Sequence, residues 1–252
     1  MVVFYFSGTG NTKYIAKLFS SNMNADCFSI EENLDFPSLV LQHDVIAFCY
    51  PVYGSRVPCI MRDFAISLKK ALRGKKLIIF CTQYVFSGDG ARAFADLLPD
   101  INHEVLYAEH FLMPNNVPNI PPIPVAGSNS QQRYLKKTQR KMETVCRNIQ
   151  NGIVIKRGFN PVSKTLGLSQ GLFMPGMEAK AKKDVRVDED CTLCGACVSL
   201  CPMKNLHISE NKIMQNGSCT LCYRCVNNCP QKSITAFTHK KVKKQYLWHQ
   251  EI

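Results

Sequence analysis

The spacing of hydrophobic positions changes character along this chain. Over the first 113 residues, short apolar runs alternate with stretches in which apolar residues recur every third or fourth position. The runs are residues 2–6, 26–30, 45–52, 77–83 and 104–113. Three of them ("VVFYF", "VIAFCYPV", "LIIFCTQ") are nearly continuous in apolar residues, as strands buried on both faces of a parallel sheet should be. Between them, Ile15, Leu18 and Phe19 share one helical face. Ile60, Phe64, Leu68 and Leu72 repeat at i+4 behind Pro58, and residues 91–98 make a shorter helix. Strands alternating with helices predict a parallel sheet covered on both sides.

Beyond this region the pattern breaks. Residues 114–128 ("PNNVPNIPPIPVAGS") are rich in proline and predict an extended loop. Residues 131–150 predict a long helix whose narrow apolar stripe is Leu135, Thr138, Met142, Val145 and Ile149, with Gly152 near its end. Residues 158–178 mix glycine, proline and isolated large apolar residues, and read as a linker that packs against something. From Asp184 the chain repeats with a period of 28: Val185 matches Ile213, Lys204 matches Lys232, and Leu206 matches Ile234. Between the repeats, "NLHISENKIM" predicts a small hairpin turning at Glu210 and Asn211. The expected division is a first domain over 1–152, a linker over 153–183, and a second domain over 184–252 with a basic tail.

Composition narrows the class. At 252 residues, 46% hydrophobic and 20% charged, the chain suits an ordinary domain plus a small one. No apolar run approaches the roughly 18 residues that span a bilayer. The first residues lack a basic region and a cleavage site, and read as a strand rather than a signal peptide. Thirteen cysteines in that setting argue for metal or redox use in a reducing compartment, and hence for the cytoplasm.

The net charge of +12 is concentrated. Residues 131–183 carry 12 Lys/Arg against 2 Asp/Glu, while residues 1–130 carry 10 against 11. This basic segment reads as a solvated helix face or as a dock for an acidic carrier. No motif accompanies it that would indicate nucleic acid.

Eight cysteines carry the clearest chemistry. "CTLCGACVSLCP" begins at Cys191 and "CTLCYRCVNNCP" at Cys219. Structural zinc usually takes two Cys-x2-Cys pairs per ion, whereas each repeat here offers a run of four. Redox couples need only one pair, and disulfides do not suit the compartment. Four thiolates converging on an iron–sulfur cubane fit the run best, with zinc as the alternative. Cys27, Cys49, Cys59, Cys81 and Cys146 lack metal spacing, and Cys49 and Cys81 read as core residues.

Over residues 184–237 the chain resembles the bacterial two-cluster ferredoxins. The resemblance implies that the last cysteine of each run serves the other cluster. One [4Fe-4S] cluster then takes Cys191, Cys194, Cys197 and Cys229, and the other takes Cys219, Cys222, Cys225 and Cys201. Clusters shared in this way would staple together two repeats that have little core of their own.

"SGTGNT", residues 7–12, follows the first predicted strand and precedes the first helix. Backbone N–H groups there, with the hydroxyls of Ser7, Thr9 and Thr12, could hold a phosphate, and Gly8 and Gly10 would allow close approach. No Gly-Lys-Ser/Thr ending marks a nucleoside-triphosphate loop. Two further loops, "YPVYGSRVP" and "CTQYVFSGDGA", leave the third and fourth strands at the same edge.

With those three loops, about residues 1–113 resemble flavodoxins, and the fold implied is a doubly wound α/β sheet of order 2-1-3-4-5 beside a small α+β ferredoxin-like domain. The resemblance makes Ser7, Gly8, Thr9, Gly10, Asn11 and Thr12 an FMN phosphate loop. It places Pro51, Val52, Tyr53 and Gly54 on one side of the flavin ring, with Tyr53 stacked and Gly54 at its N5 edge. Gln83, Tyr84, Phe86 and Ser87 lie on another part, with Gly88, Asp89 and Gly90 shaping the loop.

The whole chain resembles the flavodoxin–ferredoxin fusion proteins of anaerobic bacteria and archaea. That implies electron transfer between FMN and two [4Fe-4S] clusters, with redox proteins as partners, an acidic ferredoxin among the candidates, and room for a homodimer. Two alternatives stand beside it: an FMN-dependent reductase of a small molecule fed by the clusters, and a ferredoxin whose N-terminal domain docks without flavin. No residue is singled out as an acid, base or nucleophile.

Overall fold

A computed structural model describes residues 1–53, 56–86, 88–119 and 123–248, with only the backbone of residues 171, 173, 174 and 177. Strands and helices alternate through the first half: β1 (Val2–Tyr5), α1 (Asn11–Met23), β2 (Asp26–Ser29), α2 (Phe36–Leu41), β3 (Val45–Pro51), α3 (Cys59–Ser67), β4 (Lys76–Gln83), α4 (Gly90–Ala95) and β5 (Glu104–Leu112). They build a parallel sheet of order β2-β1-β3-β4-β5-β6. This is the doubly wound flavodoxin-like order with one strand added. The addition, β6 (Ile155–Lys156), pairs with Tyr107 and Ala108 of β5. Two residues are too few to show a period of two, which is why the sequence pattern does not reveal it.

Alternation along the strands sorts the core into two layers. Val2, Phe4, Phe6, Phe48, Leu77 and Ile79 face Phe36, Met61 and Phe94 on one side of the sheet. Val3, Tyr5, Cys49, Ile78 and Phe80 face Ile15, Phe19, Leu135 and Met142 on the other. Each fully buried phenylalanine contributes about 1.5–3 kcal/mol, so the continuous apolar strands dominate the stability of this half. Cys49 and Cys81 are buried core residues, as expected.

The basic helix α5 (Ser128–Gln150) lays Leu135, Thr138, Met142 and Val145 on that second layer. After β6 comes α6 (Pro161–Lys182), where the sequence pattern reads as an irregular linker. Local and tertiary contacts explain the difference. Asn160 caps α6 by accepting from the Ser163 N–H at 2.9 Å, with Pro161 in the first turn. Gly167 packs against Asp89, and Glu178 accepts from Arg62 of α3 at 2.6 Å. These contacts hold a helix despite the internal Pro175, a residue that costs about 3 kcal/mol in a free helix.

The second domain contains β7 (Val185–Val187), α7 (Ala196–Leu200), β8 (Leu206–Ser209), β9 (Lys212–Gln215), α8 (Arg224–Asn228) and β10 (Ile234–Ala236). β7 and β10 pair antiparallel, and so do β8 and β9. The β8–β9 hairpin turns through Glu210 and Asn211, both left-handed, as a tight two-residue turn requires. The 28-residue repeat is visible in the backbone. Leu193 and Leu221, Gly195 and Tyr223, and Lys204 and Lys232 are matched pairs with φ between 48° and 75°. The chain then returns to the first domain, where the Tyr246 hydroxyl donates to Asn11 Oδ1 at 2.6 Å.

Candidate functional site

A cleft opens at the C-terminal ends of β1, β3, β4 and β5. It is lined by Ser7, Gly8, Thr9, Asn11 and Thr12, by Pro51, Val52 and Tyr53, and by Thr82, Gln83 and Tyr84. This edge of a doubly wound sheet is where such folds bind ligands. The N-terminus of α1 has no side-chain cap and no acidic residue in its first turn. Its N–H groups therefore suit an anion. The Ser7 hydroxyl accepts from Gly10 N–H at 3.1 Å, and the Thr9 hydroxyl from Asn116 Nδ2 at 2.7 Å. Each hydroxyl keeps its own hydrogen for a phosphate oxygen. Thr12 and Thr82 share a buried hydroxyl–hydroxyl bond of 2.7 Å. A phosphate-bearing ligand fits this donor set.

The sequence pattern does not reveal the cleft's fourth wall, Met113 to Val117. Asn11 Nδ2 donates to the Pro114 carbonyl at 3.0 Å, which ties that wall to the phosphate loop. The proline-rich composition shows only that the segment is extended.

The expected ring contacts divide. Tyr53 and Tyr84 line the cleft. Burial, and then Cys222 and Cys219 nearby, hold the Tyr53 hydroxyl well above its usual value of 10. Gln83 lines the cleft too, and its Oε1 is buried with no partner among the described residues, an acceptor open to a ring N–H. Phe86 is 54% exposed at the surface. Asp89 is buried but turned elsewhere, ion-paired with Arg92 and packed under Gly167 of α6. Gly90 accepts from the Tyr50 hydroxyl at 3.0 Å and packs on Val52. Gly88, which has a φ of 56°, shapes the loop without lining the cleft. Gly54 and Ser87 lie outside the described residues.

The two glycines of the phosphate loop have a second role. A Cβ on Gly8 would collide with the carbonyl oxygen of Cys222, and one on Gly10 would lie 2.7 Å from the Trp248 ring. Close approach is thus demanded by the second domain as well as by a ligand. Arg224 closes the same junction. It donates to the carbonyls of Ser7 at 2.8 Å and Gly8 at 3.3 Å, and pairs with Glu31 at 2.7 Å.

Two separate cavities hold the eight cysteines of the repeats. Cys191, Cys194, Cys197 and Cys229 line one, with Ile213 and Ile234. Cys201, Cys219, Cys222 and Cys225 line the other, with Val185, Leu206 and Tyr223. Each set combines three cysteines of one repeat with the fourth of the other. Burial pushes the Cys222 thiol up to about 12 and the Cys219 thiol up to about 11. Thiolates in such apolar cavities require positive charge beside them, which iron supplies. N–H donors already face the sulfurs, from Asn205 to Cys201 and from Leu221 to Cys219, each at 3.3 Å. The donor set fits an iron–sulfur centre. Among the described residues, no group of three or more His, Cys, Asp or Glu side chains is arranged around a single metal ion.

A cleft whose donors suit a phosphate, on a doubly wound sheet, and two cysteine cavities in a duplicated small domain are the features expected of a flavin and iron–sulfur electron-transfer protein. Comparison with known families agrees. A model described as a flavodoxin domain matches residues 2–118, and one described as a 4Fe-4S dicluster domain matches residues 190–234. The chain is a fusion of an N-terminal flavodoxin domain with a C-terminal ferredoxin domain. These domains imply FMN and iron–sulfur chemistry, and with it redox partners.

Among solved structures, a two-electron reduced flavodoxin from Megasphaera elsdenii is 26% identical, covering 56% of this chain and 99% of its own, with a TM-score of 0.40. A flavodoxin from the domain Archaea is 15% identical, covering 59% and 97%, also at 0.40. Flavodoxin 2 from Bacillus cereus is 18% identical, covering 58% and 97%, at 0.41. No curated protein matches the chain. Among the described residues, no helix is long and apolar enough to cross a membrane.

Proposed function

We propose that the chain carries electrons between FMN in the cleft and two [4Fe-4S] clusters. Cys191, Cys194, Cys197 and Cys229 would hold one cluster, and Cys219, Cys222, Cys225 and Cys201 the other. The observation that carries this reading is the sorting of eight cysteines into two cavities of four, one of them lying against the cleft's phosphate loop. When bound, the flavin can take one electron or two, and each cluster passes one.

The chain's own residues do the holding and shielding. Ser7, Thr9, Asn11 and Thr12, with the N–H groups at the start of α1, hold the phosphate. Tyr53 and Tyr84 wall the ring, and Gln83 offers it an acceptor. We divide the chain into a flavin domain to residue 152, a connector over 153–183 that adds β6 to the flavin-domain sheet and then forms α6, and a cluster domain from residue 184. No disulfide joins any two of the thirteen cysteines, which suits the reducing, cytoplasmic setting we propose. The basic face of α5 suits an acidic carrier protein as partner.

One observation favours a second reading, a small-molecule reductase. A cavity of about 470 Å³ lies between β5 and α5, lined by Phe111, Leu112, Arg133, Tyr134 and Lys137. Tyr84 of the flavin cleft lies within electrostatic reach of Tyr134. This size suits a small ligand, and the cations suit an anion.

Composition of the purified protein tests the main reading. Prepared without oxygen, it should contain about eight irons and one FMN per chain. Iron without flavin would leave a ferredoxin with a docking domain. Zinc in place of iron would overturn the cluster assignment.

A further inference from the structure

We infer that Cys201, Cys219, Cys222 and Cys225 form the flavin-side set, and that Arg224 is a positioning residue coupling FMN binding to that set alone. The inference rests on the reading above and adds an order to the two clusters.

Residues neighbouring this set reach the flavodoxin domain at three points. The Cys222 carbonyl sits directly over Gly8 of the phosphate loop. Thr220, between Cys219 and Cys222, accepts from the thiol of Cys59, the first residue of α3, at 3.3 Å. Arg224 donates to the carbonyls of Ser7 and Gly8, to both oxygens of Glu31, and to the Leu200 carbonyl beside Cys201 at 3.2 Å. One guanidinium therefore joins the phosphate loop, the turn after β2 and the approaches to two cysteines of the set. Cys222 is itself counted in the core layer of the flavodoxin sheet. Left-handed Leu221 and Tyr223 shape the loop that makes this reach possible.

The other set has a different setting. Cys194 is exposed, and the loop around Cys191 bonds to its own domain, through Asp188 N–H to the Ser233 carbonyl at 2.9 Å and through the Asp190–Lys241 ion pair. This set opens to solvent at Cys194, while Cys197 and Cys229 are buried, and a soluble carrier can approach it from that side.

Two ligands on one shared loop are linked. A phosphate bound to the N–H side of residues 7–12 orders the carbonyls that Arg224 grips, and an ordered cluster loop holds Arg224 in place. Each ligand must then favour the other by the same factor. FMN should protect the inner set from losing iron and leave the outer set unprotected.

The test uses the full chain purified without oxygen, with FMN and iron counted first. Iron is extracted with a coloured chelator, with FMN bound and after FMN has been stripped. FMN should slow extraction of about half the iron roughly tenfold, a rise of about 1.4 kcal/mol in the barrier to iron loss, and leave the other half unchanged. Arg224→Ala should abolish the protection and speed FMN release, followed by the return of flavin fluorescence. Arg224→Lys should restore part of both. Cys194→Ala, which removes the outer set's iron, should leave the protection of the remaining iron intact.

Equal protection of all the iron, protection of none, or protection undiminished in Arg224→Ala would overturn the inference and leave the cofactor reading standing. A wild-type chain without FMN, or with only half the iron, would overturn both.

Discussion

A Cβ on Gly8 would strike the Cys222 carbonyl, and one on Gly10 would press on the Trp248 ring. Gly10 also has a φ of 105°, which other residues rarely adopt. Gly8 carries no such backbone demand, so its substitution tests close approach alone, by the Cys222 carbonyl and by a ligand in the cleft. Gly8→Ala should destabilise the cofactor-loaded protein by about 1–3 kcal/mol, the usual cost of overpacking, and weaken FMN retention with it. Thermal melting and flavin release in the same sample check this, and a melting temperature equal to wild type would contradict it. The sequence marks the glycines as a candidate phosphate loop because a short motif carries that meaning. Their second role stays hidden because the residues opposite them lie in the other domain, far along the chain.

Elements were legible in proportion to how well their own pattern agrees with their burial. The continuous runs of β1, β3 and β4 mark themselves as central strands, and the stripe of α5 marks its buried face. α6 is the opposite case, with glycines and a proline where a helix prefers neither, held by an N-cap, by Gly167 on Asp89, and by Glu178 on Arg62. Contacts of that kind have no local signature. They do have a consequence. Pro175 is exposed and inside the helix, so Pro175→Ala should raise stability by up to about 3 kcal/mol. Chemical denaturation measures this directly. No gain, or a loss, would mean that residues 161–182 are not helical in solution.

Across the whole molecule, the 28-residue repeat conveys more than its cysteines. It fixes matched left-handed residues around both runs, and the fold then brings the fourth cysteine of each repeat to the other's cavity. That exchange was implied by resemblance to ferredoxins and could not be read from spacing alone. The order of the two sets along an electron path was not legible at all, since it depends on how the small domain sits on the phosphate loop. Charge is divided in a similar way. The basic excess is shared between α5 and residues 151–183, while Arg224, at the junction, is neutralised locally by Glu31.

Anaerobic reductive titration shows whether one chain joins a flavin to two clusters as the single electron-transfer unit proposed above. The protein is titrated with a one-electron reductant while the flavin and cluster absorbances are followed together. The expected result is uptake of about four electrons per chain, two by the flavin and one by each cluster, with both chromophores bleaching in linked steps and regaining colour together on reoxidation. Uptake confined to the clusters, with no flavin absorbance to bleach, would contradict the account.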